Sequence, residues 1–159
     1  MGQLNRALRR ILKHTRVPVF ASAAYVVTDL ASGTLSYSNA GHPHPLRVRN
    51  DGRPLERLDG GKLGPALGLI DDAVYPAATS PIAMPETVLF FTDGLFEVES
   101  KDGALYDYKA LREAVSQISE TNAADLCRRV VRKVCEFSGH DDFDDDVCLV
   151  AMEIDRLAC

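Results

Sequence analysis

The 159-residue chain is long enough for one domain and, at 46% hydrophobic residues, can supply a core. A net charge of −5 argues against nucleic acid as a partner, because phosphate backbones call for a basic face. No apolar run is long enough to span a bilayer and no secretory pattern begins at Met1. Arg6 stands where a myristoylation signal needs Ser or Thr, so the expected setting is the cytoplasm, away from membranes.

In chain order, Leu4, Ala7, Leu8, Ile11 and Leu12 recur at helical spacing with basic residues between them, which predicts an amphipathic helix ending before Pro18. Its basic face is read as solvated, in preference to a membrane or partner helix. Ala21 to Leu30 and Thr34 to Asn39 flank the turn Ala31-Ser32-Gly33 and predict an antiparallel hairpin. A third strand, Leu46 to Arg49, meets the tight-turn signal Asn50-Asp51-Gly52 and returns through Leu55 to Leu58. Asp59 to Gly68 is glycine-rich but misses the P-loop pattern and is expected to be a flexible connection. Val74 to Ser80 is expected at a sheet edge, and Pro81 to Pro85 leads into the central strand.

That central strand is Val88 to Phe91, closed by Thr92, an apolar run without alternation that reads as buried on both faces. It runs straight into Asp93-Gly94. A carboxylate there sits on a rigid support, and Gly94 lets the backbone turn sharply or approach a neighbour closely. Beyond Glu97 the period changes: Tyr108, Leu111, Val115 and Ile118 mark one helix. Asn122 caps a second, striped by Leu126, Val130, Val131 and Val134 and stopped by Gly139. The acidic run Asp141 to Asp146 then enters a last strand, Val147 to Ile154. The composite is α+β, a single domain over 1–159 with helices packed on antiparallel sheet.

Cys127, Cys135, Cys148 and Cys159 form no Cys-x-x-Cys pair and read as reduced thiols in apolar surroundings. No Gly-x-Ser-x-Gly elbow supports a nucleophilic triad. Val147 occupies the position where a calcium hand starting at Asp142 needs Gly, which sets that motif aside. His42-x-His44 could offer two imidazoles to zinc, but no further ligand accompanies them. What remains is a pair of hard-oxygen sites, Asp93 and the Asp145-Asp146 end of the acidic run, both at strand ends. Such sites suit Mg²⁺ or Mn²⁺ chemistry on phosphate.

Residues 29–46, Asp-Leu-Ala-Ser-Gly-Thr-Leu-Ser-Tyr-Ser-Asn-Ala-Gly-His-Pro-His-Pro-Leu, together with Gly64 to Leu69, Phe91-Thr-Asp-Gly-Leu-Phe-Glu97 and Asp145-Asp-Val-Cys-Leu149, carry a resemblance. In order and spacing they resemble the stage II sporulation E-like serine/threonine phosphatases, the bacterial branch of the metal-dependent type 2C (PPM) phosphatases. The resemblance runs from about Leu4 to Ile154. It implies an α-β-β-α sandwich of two mostly antiparallel sheets flanked by helices, with a two-metal Mn²⁺ or Mg²⁺ site. By motif, Asp93, Gly94 and Asp145 would belong to the metal site, Asp93 and Asp145 as the catalytic ligands, with Asp146 a neighbouring carboxylate. The implied reaction is hydrolysis of phosphoserine or phosphothreonine on a regulatory protein of the anti-anti-sigma type.

The departures from the family matter too. Its first acidic motif contains Gly-Asp, and this chain has no Gly-Asp dipeptide; Cys148 stands where Thr or Ser is usual. The expectation is a domain lacking its N-terminal part, with an incomplete metal site and an exposed sheet surface open to homodimerisation. The rival is a catalytically inactive binding or regulatory module that keeps the phosphatase fold.

Overall fold

The structure, a computed structural model, describes residues 1–13, 19–49, 53–59, 63–118 and 122–155. Pro18, the Asn50–Gly52 turn, Gly60 to Lys62 and Cys159 lie outside the described residues. The described chain divides into two compact units, one of Met1–His44 with Leu58–Ile82, the other of Pro45–Arg57 with residues 83–155.

The first unit opens with helix α1, Gly2–Leu12, whose Leu8 and Leu12 side chains reach Gly68. An isolated helix this short is marginal in water, so it depends on what it touches. Asn5, 1% exposed, accepts from the Gly68 N–H at 2.8 Å and donates to the Ile70 carbonyl at 2.9 Å. One turn on, the Arg9 guanidinium grips both oxygens of Asp71, at 2.7 and 2.6 Å, and donates to the Gly68 carbonyl. That grip holds the Asp71 carboxyl below the usual carboxylate range. Strands β1 (Ala23–Asp29) and β2 (Thr34–Ala40) form the expected hairpin. They pair from Ala23↔Ala40 to Asp29↔Thr34. The sequence also shows two strands from the other unit in order, β3 (Leu46–Arg49) and β4 (Glu56–Arg57), before β5 (Ala77–Pro81) returns to the first. Strand β5 pairs with β2, giving the order β1-β2-β5 and leaving β5 at an edge as expected.

The flexible connection expected over 59–68 is corrected for residues 63–68. Gly64 N–H donates to the Asn39 carbonyl at 3.1 Å, and Leu67 exchanges a pair of backbone hydrogen bonds with Ala21 at 2.8 and 3.0 Å. With Gly68 held by Asn5, the N–H groups of Gly64, Leu67 and Gly68 all have fixed protein partners.

The second unit is built on a four-stranded antiparallel sheet of order β4-β3-β6-β9, with β6 spanning Glu86–Phe91 and β9 spanning Leu149–Ile154. Strand β6 is interior, and Val88 and Leu89 are fully buried, as the unbroken apolar run predicts. Between β6 and the helices lies a small hairpin that the sequence reading missed, β7 (Val98–Glu99) with β8 (Leu105–Tyr106). Helix α2, Tyr108–Ser116, starts where Asp107 accepts from the Ala110 N–H at 2.8 Å. Helix α3, Ala123–Ser138, starts at Asn122, whose side chain accepts from Asp125 N–H at 2.9 Å, a cap worth about 1 kcal/mol. Gly139 ends it in the left-handed conformation, φ 76°, donating its N–H to Cys135. The helices place Leu111, Val115, Leu126, Val130 and Val134 in one core with Leu46, Leu89 and Phe91.

An ion pair is sealed inside this sheet. The cross-strand register sets Arg47 opposite Val88 and Arg49 opposite Glu86, so Arg47 and Glu86 are diagonal neighbours on one face. The Arg47 guanidinium donates to both Glu86 oxygens, at 3.0 and 2.9 Å, with side chains 1% and 0% exposed. A third donor, the Ala83 N–H, meets Glu86 at 3.0 Å. Burying the carboxylate is tolerable because its lone pairs are met.

Candidate metal centre at the strand ends

The strand-end motifs expected to carry chemistry come together within the second unit. Strand β6 ends at Phe91, Thr92 stays extended, and residues Asp93–Leu95 form a single 3₁₀ turn. The turn is closed by Leu95 N–H to the Thr92 carbonyl and by the N–H groups of Phe96 and Glu97 to the Asp93 carbonyl. Three aromatic rings support it: Phe91 and Phe96 meet edge-on at 6.0 Å, and both pack on Tyr108 at the start of α2, at 6.0 and 5.6 Å.

Across from this turn runs the end of the acidic stretch. Thr92 joins the two: its backbone N–H donates to the Cys148 carbonyl at 3.1 Å. Its hydroxyl donates to the Asp146 carbonyl and accepts from the Cys148 N–H, both at 2.9 Å. Because Cys148 uses its backbone on Thr92, β9 begins at Leu149 and not at Val147 as the sequence suggested. Gly94 completes the approach. A Cβ added there would lie 3.2 Å from the Asp145 carbonyl oxygen, a tight contact, and 2.8 Å from that of Asp146, closer than a side chain tolerates. The glycine is therefore needed for space, the close-approach use its position suggested.

Asp93, Asp145 and Asp146 are all exposed, while Gly94 is buried. Asp145 accepts from the Asp146 N–H at 2.7 Å, which leaves its second carboxylate oxygen outside that bond. The donors are of the right kind, since exposed carboxylates suit a hard divalent ion that keeps several waters and takes one or two protein carboxylates. They are short in number for two ions: among the described residues, no three His, Cys, Asp or Glu side chains gather as a metal cluster. The fit is that of a partial site.

The other candidates are dispersed. His42 accepts or donates at Nδ1 with the Ser22 hydroxyl at 3.1 Å, and His44 does so at Nδ1 with the Leu58 carbonyl at 3.1 Å. Neither joins a cluster of ligating side chains among the described residues. The motif Asn39 is buried and builds its own loop, accepting from His42 N–H and donating to the His42 carbonyl, each at 2.8 Å. Cys127 and Cys135 are half-buried and burial pushes both thiols up, but Cys148 is exposed, against the apolar setting expected for it. The residue the sequence reading overlooked is Thr92. A hydroxyl-bearing residue closing an apolar strand just before Asp-Gly was the available signal.

Comparison with known proteins bears on the family and the fold. Residues 1–155 match the family described as Stage II sporulation protein E (SpoIIE). Protein IcfG of Synechocystis is 26% identical over 145 residues, covering 88% of this chain and 22% of that protein. Among solved structures, the SiaA-PP2C domain of Pseudomonas aeruginosa superposes with a TM-score of 0.78 at 20% identity, over 97% of this chain and 59% of that one. The phosphatase domain of SpoIIE from Bacillus subtilis gives 0.69 at 15% identity, over 98% and 66%. The RsbU and RsbW domains of a Mycobacterium tuberculosis protein give 0.71 at 23% identity, over 97% and 42%. The chain thus spans less than two thirds of each of these relatives, and shares with them the α+β fold of PP2C phosphatase domains. No helix among the described residues is long and apolar enough to cross a membrane. The chain belongs to the stage II sporulation protein E (SpoIIE) family.

Proposed function

We propose that this chain carries part of the catalytic centre of a protein phosphatase that hydrolyses phosphoserine or phosphothreonine on a regulatory protein of the anti-anti-sigma type. In this reading Asp93 and Asp145 hold Mn²⁺ or Mg²⁺, with Gly94 and Asp146 beside them. The observation that supports it most is the approach of Gly94 to the Asp145–Asp146 backbone, because it couples two carboxylate-bearing strand ends that are distant in sequence. Family membership and the PP2C fold support phosphate-ester hydrolysis as the chemistry. The likeness to a protein with RsbU and RsbW domains supports a regulatory protein as substrate.

The chain's own residues supply position and charge. Thr92 pins the Asp93 turn to the start of β9, so neither carboxylate depends on a wandering loop. Asp141, Asp142, Asp144, Asp145 and Asp146 are all exposed on one short segment, and their summed negative charge draws a divalent cation towards Asp145. Such an ion, when bound, supplies positive charge against phosphoryl oxygens and acidifies water for attack. Gly94 leaves the space beside Asp145 and Asp146 free of a side chain, and the Phe91–Phe96–Tyr108 cluster keeps the turn from shifting.

The test is Mn²⁺ binding by calorimetry alongside Mn²⁺-dependent hydrolysis of an aryl phosphate and a phosphoserine peptide, for this chain and for Asp93→Asn. Asp93→Asn is expected to weaken Mn²⁺ binding and to remove any hydrolysis. Equal Mn²⁺ binding by the two proteins would overturn the assignment of Asp93. Binding without hydrolysis in either protein would confine catalysis to a longer chain that adds further ligands.

A further inference from the structure

The second unit holds a cavity of about 530 Å³ between α2 and the segment entering β4, remote in sequence from Asp145 and Asp146. Among the described residues its polar lining is Arg53, Lys109, Arg112 and Ser116 with one carboxylate, Glu113, and its apolar part is Pro54 and Leu55. We propose that it binds an acidic peptide segment with an interspersed apolar residue, belonging to the protein substrate. Only the ownership of that segment rests on the phosphatase reading.

The helix periodicity makes the arrangement. Lys109, Arg112, Glu113 and Ser116 fall at i, i+3, i+4 and i+7 and share one face of α2, while Leu111 and Val115 turn the other face into the core. Glu113 lies 3.7 Å from Lys109 in an exposed pair, so it offsets one cation weakly, and Arg112 on the same face keeps the described α2 side of the lining net basic. In a chain of net charge −5 that is a local reversal of sign, and it selects a partner of opposite charge.

The size and floor decide between a compact anion and an extended one. The volume falls in the range of clefts that hold ligands of many atoms, and a lone phosphate would leave most of it empty. The first turn of α2 is no anion nest either, since Asp107 already caps the Ala110 N–H at 2.8 Å. Leu55 packs against the core of this unit and, with Pro54, presents an apolar strip between cations from two different segments. Carboxylates on either side of an aliphatic residue match that pattern. The site also touches the candidate centre through one residue: Tyr108, which precedes Lys109, packs on Phe91 and Phe96 to either side of Asp93. A segment anchored on α2 is therefore held on the element that supports the Asp93 turn.

The test is fluorescence anisotropy on the full chain at low salt, using a dye-labelled peptide of repeated Glu-Glu-Leu and its Gln-Gln-Leu counterpart. The acidic peptide is expected to bind, to weaken with added salt, and to bind about tenfold or more weakly to Lys109→Glu/Arg112→Glu. Both positions are exposed, and far-ultraviolet circular dichroism of the double variant checks that it folds. If the double variant alone is unfolded, Arg112→Gln is read in its place, with the same direction expected. Equal binding by the folded variant, equal binding of the Gln peptide, or displacement by millimolar inorganic phosphate as readily as by unlabelled peptide would overturn the proposal. Because no turnover is read, its failure is separate from that of the phosphatase reading. Failure of the unsubstituted chain to bind the acidic peptide sinks the docking site alone and leaves the Asp93 assignment standing.

Discussion

Adding one methyl group at Gly94 tests the geometry on which the candidate centre depends. The new Cβ would sit 2.8 Å from the Asp146 carbonyl oxygen, and ordinary contact begins at 3.4 Å, so the turn and the start of β9 must part by about 0.6 Å. The obstacle is backbone, which cannot swing aside as a long side chain would. Parting the two segments strains the Thr92 hydroxyl bridge, whose two bonds are each 2.9 Å. Overpacking of this kind costs about 1–3 kcal/mol. For a chain of this length that corresponds to a fall in melting temperature of about 2–12 °C. The assay is thermal unfolding followed by circular dichroism, with Gly2→Ala as control, since a Cβ there meets only the Arg6 side chain at 3.7 Å. Mn²⁺ calorimetry on Gly94→Ala should show weakened binding in parallel. A variant that melts within 1 °C of wild type, measured against the ~2 °C floor set by that range, would refute the close approach.

Two further predictions concern the interior of the second unit. Glu86→Leu alone removes the buried carboxylate that accepts twice from the Arg47 guanidinium, itself 1% exposed, and should cost about 3–5 kcal/mol in urea unfolding. Arg47→Met combined with Glu86→Leu should recover most of that loss, and a double variant no more stable than the single would contradict the pairing. Tyr106 is 5% exposed and its hydroxyl has no hydrogen-bond partner among the described residues. Burial pushes its phenol up from the ordinary value of 10 to about 12. The folded state thus keeps the proton longer than the unfolded chain, so this contribution to stability is whole below pH 10 and is lost as pH rises towards 12. Tyr106→Phe should flatten the alkaline decline of stability over that window, and an unchanged decline would assign it to other groups.

Local signals in the sequence were sufficient for the elements whose causes are local. Asn122 and Gly139 bound α3 because capping chemistry acts within one turn. The Val88–Phe91 run is interior because nothing in it could face water. Features that depend on register or on distant partners were not legible. Arg47 and Glu86 read as ordinary strand polar residues until the β3–β6 register sets them diagonal. The stretch around Gly68 reads as loose until Asn5 and Arg9, more than fifty residues earlier, supply its hydrogen bonds. Of the candidate site, the Asp93-Gly94 and Asp145-Asp146 ends were visible as motifs and do lie together. Thr92 showed its place, a hydroxyl closing an apolar strand before Asp-Gly, but its partners Asp146 and Cys148 are set by a strand pairing the sequence does not display.

The ties of helix α1 also set an order of events in time. Its hydrogen bonds to the chain outside the helix reach 59 to 65 residues ahead, to Gly68, Leu69, Ile70 and Asp71. During synthesis these hydrogen bonds form only after those residues emerge. Closing a loop of that length carries an entropic cost that local helical bonds cannot offset. These ties of α1 are thus among the later contacts to form. In the folded protein its opening and that of the Gly68 loop are one event, and amide hydrogens on both should exchange together.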